Sequence, residues 1–284
     1  MPMSRALAPR FLLAACVLSA GALPAAASAH AAEAAVGDAV HVLVLRENGV
    51  GSAATAQRYI DEIMQQVARL NGWSSAVGSY QTSRSAAKTW VAEKDPHFGI
   101  LSLTSFLALR GEHRLTVVGK ADVKGGGGEQ YFLVSKTAKD LAGCKGQKLA
   151  TNHADDAAFI ERVVADGFSL KDFELVKTPR PLQTIKKVLR DEATCALIDD
   201  AQQADLANVD GGAALQIVWS SAKLPPMVVV AFPSAPAAEA KAFKQNLAQV
   251  CKGAGQASCG AAGIESLAPA DEKAYASVVK AYGK

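Results

Sequence analysis

Short apolar runs alternate with amphipathic stretches from residue 41 onward. Residues 41–45 form an apolar run followed by the polar loop 46–51, which predicts a buried parallel strand. Apolar side chains then recur at three- and four-residue steps between Ser52, a possible helix cap, and the Asn71-Gly72 stop, which predicts a helix. The pattern continues with a strand at 75–77, a helix at 83–94 and a strand at 98–103. This β-α-β-α-β order predicts a parallel sheet covered by helices.

A second alternating series follows a glycine-rich segment. Strands predicted at 115–118 and 131–134 flank residues 124–128, where the chain can leave the first lobe. The repeated units are a strand at 148–151, a helix at 155–166, a strand at 173–176, a helix at 181–191 and a strand at 195–198. These units predict a second α/β lobe.

The remaining elements are too few to build a lobe of their own. Strands are predicted at 215–219 and 227–231, and helices at 236–250 and 271–281. We therefore expect the C-terminus to return to the first lobe. The predicted fold is α/β, with two Rossmann-like lobes joined by crossover hinge strands. Lobe 1 comprises residues 37–128 plus 232–284, and lobe 2 comprises residues 129–231.

The N-terminus has the pattern of a secretory signal peptide at residues 1–31. Arg5 and Arg10 precede a short apolar run that ends at Pro24, too short for a membrane span of about 20 apolar residues. Small residues place the cleavage site near His30 or Ala32, and the sequence leaves both open. We therefore expect export to the periplasm.

The residues before Cys16 also fit a lipoprotein signal. Leu13 to Cys16 match the box that would leave this cysteine acylated and the protein tethered to a membrane. Arg10 lies only six residues upstream of Cys16, which leaves little apolar segment before it. The cleaved signal peptide is therefore the favoured interpretation.

Charge excludes several classes of partner. The formal net charge of +3 falls to +1 without Arg5 and Arg10, and the other basic residues are dispersed among acidic ones. Neither nucleic acid nor an anionic membrane surface is an expected partner.

Four cysteines remain in the mature chain, an even number that favours disulfides in an oxidising compartment. Four cysteines allow three connectivities, and Cys251 and Cys259 flank a short loop that makes them natural partners. Cys144 and Cys195 would then form the second bridge. No Cys-x-x-Cys motif or nearby histidine favours a metal site instead, and no cofactor is expected.

Several segments resemble type 2 periplasmic solute-binding proteins. DLAGCKGQKLAT at residues 140–151 looks like the family's D-L-x-G-K-x-V-A entry to the second lobe, with an extra Cys144-Lys145 pair. DGFSL at 166–170 resembles the exit from that lobe's first helix, and ATCALID at 193–199 resembles its D-A-A-V-x-D strand. LPPMVVV at 224–230 resembles the crossover back to the first lobe.

The branch of phosphate, phosphite and phosphonate receptors of ABC importers is the most similar. This resemblance implies a monomeric receptor that closes over a small anionic, phosphonate-like ligand and docks on an inner-membrane permease. It also implies that the strands after Cys144 and at Cys195 are parallel neighbours, close enough for a bridge.

Ligands of open α/β sheets bind beyond the carboxyl ends of strands, so the candidate residues lie in the loops there. The ligand-binding candidates are Arg46, Glu47, Asn48, Tyr80, Thr104, Thr151, Asn152, His153, Arg180 and Asp199. Residues 151–155 open a helix whose free N–H groups favour an anion. Asp155 and Asp156 would repel a dianion there, unless they cap the helix.

Catalytic motifs are missing from the sequence. It contains no Gly-x-Ser-x-Gly, His-Glu-x-x-His or Cys-x-x-Cys, and residues 125–128 lack the Lys-Ser/Thr of a phosphate-binding loop. We therefore expect no enzyme activity. A ligand-sensing or accessory protein of the same fold is the alternative that the sequence leaves open.

Overall fold

The computed structural model describes residues 39–47 and 53–284. The predicted signal peptide and Cys16 lie outside these residues, as do the candidate Asn48 and the predicted helix cap Ser52. In the described part of the chain, the strands are β1 (Val40–Leu45), β2 (Ala76–Gln81), β3 (Phe98–Leu101), β4 (Thr116–Val123), β5 (Tyr131–Ser135), β6 (Lys148–Thr151), β7 (Glu174–Lys177), β8 (Cys195–Asp199), β9 (Gln216–Ser220), β10 (Met227–Ala231) and β11 (Ile264–Pro269).

The helices lie between these strands in an alternating α/β order. They are α1 (Ala53–Asn71), α2 (Arg84–Lys94), α3 (Leu103–His113), α4 (Ala157–Phe159), α5 (Pro181–Leu189), α6 (Asp200–Asp205), α7 (Ala237–Val250), α8 (Gln256–Ala261) and α9 (Ala276–Tyr282). Helix α4 continues as a π-helical segment, Ile160–Val164. Single 3-10 turns occur at Leu170–Asp172, Leu206–Asn208, Gly212–Ala214, Gly253–Gly255 and Glu272–Tyr275.

The strands form two sheets, one in each predicted lobe. The first has the order β11-β4-β10-β3-β1-β2 and the second the order β7-β6-β8-β5-β9. In each sheet three strands run parallel, β2-β1-β3 and β7-β6-β8, and the others join them antiparallel. The predicted two-lobed α/β fold is confirmed.

Two segments carry the chain between the sheets. The first lies between β4 and β5 and the second between β9 and β10, and the backbone N–H of Leu224 in the second donates to Glu129 O in the first at 2.6 Å. The second segment leads into β10, which the sequence analysis placed at the end of lobe 2. Strand β10 pairs with β3 and β4 in the first sheet, because its wholly apolar side chains are buried there.

The C-terminal part of the chain belongs to the first sheet. Strand β11 pairs with the outer side of β4, and α7 packs on both β11 and α1. Tyr275 is fully buried, stacks edge-on with Phe106 and donates its phenol to Met227 O at 3.2 Å. These contacts place β11, α7 and Tyr275 against elements of the first sheet.

Both predicted disulfides are present. Cys144 and Cys195 join the segment before β6 to the start of β8, with Cα atoms 5.9 Å apart, and Cys251 and Cys259 join the end of α7 to α8. Strands β6 and β8 are parallel neighbours, so they bring Cys144 and Cys195 to one edge of the second sheet. The resemblance implied this arrangement.

Candidate functional site

A cleft of about 440 Å³ lies between residues of the two lobes. Its first wall comes from the segments after β1 and β2 and from the start of α3, and consists of Glu47, Thr82, Ser83, Arg84, Ser85 and Thr104. The second wall comes from the segments after β6 and β7, and consists of Asn152, His153, Asp155, Asp156, Phe159 and Pro179. The carboxyl ends of strands in both sheets therefore supply the lining, as the sequence analysis expected.

The first wall is organised by two helix N-termini. The Ser83 side chain caps α2 by accepting from the N–H of Ala86, and Ser102 caps α3 by accepting from the N–H of Ser105. The first N–H groups of a helix have no partner within the helix, so they can donate to a ligand. The N-terminus of α2, with Ser83, Arg84 and Ser85, faces the cleft.

Asn152 is the most informative residue of the second wall. Its Oδ1 accepts from Thr184 Oγ1 at 2.9 Å and from Gln202 Nε2 at 3.2 Å. These two bonds fix the orientation of the amide group. The residue is only 7% exposed, and its Nδ2 has no hydrogen-bond partner among the described residues. A buried donor without a partner costs about 1–3 kcal/mol, so a partner that enters the cleft would recover this cost.

A buried polar network fixes Asn152 from behind. Gln202 donates through Nε2 to Asn152, and its Oε1 lies 2.8 Å from His153 Nε2. Asp199 caps α6 by accepting from the N–H of Gln202, and its carboxylate lies 3.8 Å from His153 Nε2. The Thr178 hydroxyl forms a hydrogen bond with the Thr184 hydroxyl, which itself donates to Asn152 Oδ1. These bonds within the second lobe hold the Asn152 amide oxygen in place and leave only its Nδ2 unpaired among the described residues, so Asn152 is pre-oriented.

Arg84 joins the two walls of the cleft. Its guanidinium donates to both carboxylate oxygens of Glu47 on the first wall, the shortest contact being 2.8 Å, and to Asp156 Oδ2 on the second wall at 3.1 Å. Burial acts to lower the pKa of Arg84, but hydrogen bonds and charge from Glu47 and Asp156 raise it above the ordinary value. This residue therefore stays cationic in the cleft.

The two carboxylates have further donors. Glu47 Oε2 accepts from Ser105 Oγ at 2.6 Å. Asp156 caps α4 by accepting from the N–H of Phe159 at 3.0 Å and accepts from the Tyr282 phenol at 3.1 Å. Burial and the nearby Asp156 charge raise the pKa of Tyr282, so it remains a neutral donor. The helix-capping role that the sequence favoured for Asp156 is present together with a contact across the cleft.

The predicted site residues divide into three groups. Glu47, Thr104, Asn152 and His153 line the cleft. Thr151 and Asp199 lie behind it, where Thr151 Oγ1 accepts from the N–H of His153. Arg46, Tyr80 and Arg180 do not line it.

The three residues outside the lining have other surroundings. Arg46 and Tyr80 line a small apolar cavity with Val44 and Met227, and Arg46 donates to Gly126 O at 3.1 Å. Burial raises the pKa of Tyr80, while the charge of Arg46 lowers it. Arg180 is exposed at the N-terminus of α5, so it faces solvent.

Arg84 and its neighbours are not among the candidates predicted from the sequence. The second strand was predicted to end at residue 77, whereas β2 continues to Gln81, so the loop after that strand was placed too early. The residues at the true carboxyl end are Thr82, Ser83, Arg84 and Ser85. The signal that could have identified them is the Ser83 helix cap directly after a strand.

A second groove of about 560 Å³ lies beside the two crossing segments. Asp122, Glu129, Asp200 and Glu265 line it together with Lys223. The Asp200 carboxylate accepts from the N–H groups of Gly128 and Glu129 and so fixes the first crossing segment to α6. Burial raises the pKa of Asp200, partly offset by these hydrogen bonds. The glycine-rich segment at residues 124–128, where the chain leaves the first sheet, is therefore anchored to α6.

Metal sites and membrane spans were sought in the same residues. Within 39–47 and 53–284, no group of three or more His, Cys, Asp or Glu residues is arranged to hold a metal ion. The helices in these residues are also too short or too polar to cross a bilayer.

The chain was compared with known proteins. No protein-family profile matches it, and no curated protein does. A Xanthomonas citri protein solved with bound ATP superposes with a TM-score of 0.67 at 10% identity, covering 86% of this chain and 96% of that one. PhnD1 of Prochlorococcus marinus in complex with methylphosphonate gives a TM-score of 0.63 at 11% identity, covering 85% and 96%. The aliphatic sulphonate binding protein SsuA of Escherichia coli gives 0.56 at 12% identity, covering 86% and 85%.

These likenesses establish the fold. The chain has the same two-lobed α/β fold as these structures over nearly all of its described length. Identities of 10–12% carry no ligand from those proteins to this one.

Proposed function

We propose that the protein is a periplasmic solute receptor that captures a small ligand in the interlobe cleft and delivers it to an ABC permease. The observation that carries the proposal is the buried, partnerless Nδ2 donor of Asn152 in a cleft lined by both lobes. Most buried side-chain donors are paired within the protein, so an unpaired and pre-oriented amide in a cleft lining favours a binding role. The two-lobed fold supports the same function.

The ligand in this proposal presents oxygen atoms to the cleft. Asn152 Nδ2 donates from one wall, and the N-terminus of α2 offers backbone N–H groups and the Ser83 and Ser85 hydroxyls from the other. An oxyanion such as a phosphonate satisfies both sets of donors. PhnD1 was solved with methylphosphonate, which makes that compound a sensible first probe.

Closure would work by population shift. Ligand contacts that exist only when the walls meet favour the closed arrangement by the free energy of those contacts. The crossing segments between the sheets would bend, because few residues connect the lobes there. A closed surface made from both lobes would then dock on the permease.

Export fits the chemistry of the chain. Residues 1–31 have the pattern of a signal peptide, and both cysteine pairs are bonded. Structural disulfides persist in an oxidising compartment such as the periplasm. We propose that the protein acts as a binding protein and not as an enzyme, and that it does so as a monomer, as the resemblance implies.

A ligand screen tests the proposal. The mature chain is heated with methylphosphonate, phosphate, sulfonates, amino acids and nucleotides, and each compound that raises the melting temperature is measured by calorimetry. A ligand at 100 times its Kd adds about 2.7 kcal/mol of stability. Asn152→Asp should weaken the binding of an oxyanion about 100-fold, because it replaces the donor with a carboxylate while still accepting from Thr184 and Gln202.

The control is Gln65→Glu, which adds the same charge at an exposed position of α1. It should leave the affinity unchanged. If no small solute shifts the melting temperature, the receptor proposal is wrong and a protein partner becomes the better hypothesis. Equal binding by the wild type and Asn152→Asp would remove Asn152 from the site.

A further inference from the structure

Glu47 and Asp156 face the same guanidinium from opposite lobes. Their side chains are 16% and 9% exposed, and Arg84 between them is 25% exposed. We infer that these two carboxylates form a cation site across the cleft, that Arg84 occupies it as a built-in counter-ion, and that the cleft therefore accepts neutral or singly charged solutes and rejects dianions. The ligand part of this inference rests on the proposed function, and the counter-ion part does not.

The guanidinium of Arg84 occupies the space between the two carboxylates and donates to both. Nε and Nη2 of Arg84 donate to the carboxylate of Glu47, while Nη1 donates to Asp156. Carboxylates brought together with little solvent repel each other unless a cation lies between them. The lobes therefore meet at this point only when a positive group joins them.

The charge of the lining sets the limit on the ligand. Among the described residues, Arg84 is the one lysine or arginine in the lining, against the carboxylates Glu47, Asp155 and Asp156. Asp155 is 97% exposed and so is screened by solvent. The undescribed segment 48–52 beside Glu47 has no charged side chain in its sequence. The carboxylates of Glu47 and Asp156 therefore already balance the positive charge of Arg84.

A dianion in this cleft would lack a free positive charge. The donors left for it are dipolar: Asn152 Nδ2, the α2 N-terminus and the unused guanidinium N–H groups. Helix N-termini carry about half a unit charge each, enough for a neutral or monoanionic oxygen group. A second negative charge would face two carboxylates a few ångströms away without compensation.

The counter-ion part is tested by replacing Arg84 and supplying a free cation. Arg84→Ala should lower the melting temperature, and methylguanidinium at millimolar concentration should raise it again by about 2–4 °C. The wild type should not respond, because its site is occupied. The double variant Arg84→Ala with Glu47→Gln should not respond either, because half of the cation site is gone.

Lys88→Ala is the matched control on the same helix. Lys88 pairs with Glu112 at an exposed position of α2, so its removal should cause little loss and no response to methylguanidinium. Equal responses of the wild type, Lys88→Ala and Arg84→Ala to methylguanidinium would overturn the inference. No response of Arg84→Ala would do the same.

The charge limit is tested with three tetrahedral sulfur compounds of similar size. Sulfate carries two negative charges, methanesulfonate one and dimethyl sulfone none. Calorimetry should show methanesulfonate binding at least about tenfold more tightly than sulfate. Asp156→Asn, which keeps an oxygen to cap Phe159, should reduce or reverse that preference by removing one negative charge.

The two proposals fail differently. Sulfate binding as tight as methanesulfonate binding, or a preference unchanged in Asp156→Asn, would overturn the charge limit while a receptor remains. A protein that binds no solute in the wider screen but shows methylguanidinium rescue would lose the receptor function and keep the counter-ion.

Discussion

Gly126 shows how one residue without a side chain shapes the crossing between the sheets. Its φ of +85° lies in the left-handed region, and a Cβ there would approach Asp200 Oδ2 to 2.1 Å. The same carboxylate accepts from the N–H groups of Gly128 and Glu129. A side chain at this position would therefore disturb the hydrogen bonds that anchor the segment.

Gly126→Ala should lower the free energy of unfolding by about 2–3 kcal/mol, through backbone strain and the contact with Asp200. Gly146→Ala is the control, because Gly146 has a φ of +74° and no described atom within 4 Å of the added carbon. It should cost only the strain, about 1–2 kcal/mol. Urea unfolding of both variants measures the difference, and equal losses would show that the Asp200 contact is unimportant.

The sequence predicted a cleft-lining residue where it also predicted the end of the preceding strand. Glu47, Asn152 and His153 follow strands whose apolar runs are clear in the sequence, and all three line the cleft. Arg46 precedes Glu47 by one residue, and the alternation of side chains directs it to the other side. Pairing across the cleft, such as that of Arg84 with Asp156, depends on the tertiary structure and leaves no local pattern.

At the scale of elements, apolar periodicity identified most strands and missed α3. The first eight of the eleven residues from Leu103 to His113 are buried or half-buried on all faces, so no amphipathic period marks the helix. Strand β11 was also missed, because its register shifts between Ile264 and Ser266 and its apolar residues do not alternate regularly. A Ser102 cap was the available sign of α3.

The two disulfides should differ in how much they stabilise the protein. Cys144 and Cys195 are separated by 51 residues, and Cys251 and Cys259 by 8. The loop-entropy estimate gives about 4 kcal/mol for the first bridge and about 2.5 kcal/mol for the second. Replacing each pair by alanine and measuring urea unfolding should reproduce that order. The reverse order would mean that local packing, rather than loop length, determines their contributions.

The partly buried carboxyl of Glu129 in the first crossing segment predicts that the stability of the protein depends on pH. Burial raises the pKa of its carboxyl above the ordinary value, opposed by Lys223 3.6 Å away. A raised carboxyl pKa means that folding disfavours the charged form, so the wild type loses stability as pH rises from the ordinary glutamate range through the folded pKa. Glu129→Gln should therefore be more stable than the wild type at pH 8 and equal to it near pH 4.

Urea unfolding at both pH values measures this effect. Glu265→Gln in the same groove is the control, because Glu265 is exposed and its charge costs little on folding. A stabilisation by Glu129→Gln that is equally large near pH 4 would contradict the assignment to charge burial.

At the scale of the whole molecule, the two lobes meet at more than the cleft lining. The C-terminal segment is fixed to the first lobe by Glu272, which accepts from the N–H of Val117 at 3.1 Å and from Arg110 at 3.0 Å. Its last helix reaches the second lobe, where Tyr282 donates to Asp156 and accepts through its carbonyl from Arg162 at 2.9 Å. The C-terminal segment therefore makes hydrogen bonds to both lobes.

Tyr282→Phe removes only the hydroxyl that contacts Asp156, so we expect the lobes to separate more often in the absence of ligand. Spin labels at the exposed residues Gln65 and Lys171, one in each lobe, would report the distance between the lobes. The variant should show a larger population of long distances. Tyr59→Phe, whose hydroxyl accepts a hydrogen bond from Arg58 within the first lobe, should match the wild type. A single hydrogen bond to a charged group contributes about 1.5–3 kcal/mol, which is enough to change that population severalfold. An unchanged distance distribution would mean that Arg84 alone joins the walls and that α9 follows the first lobe passively.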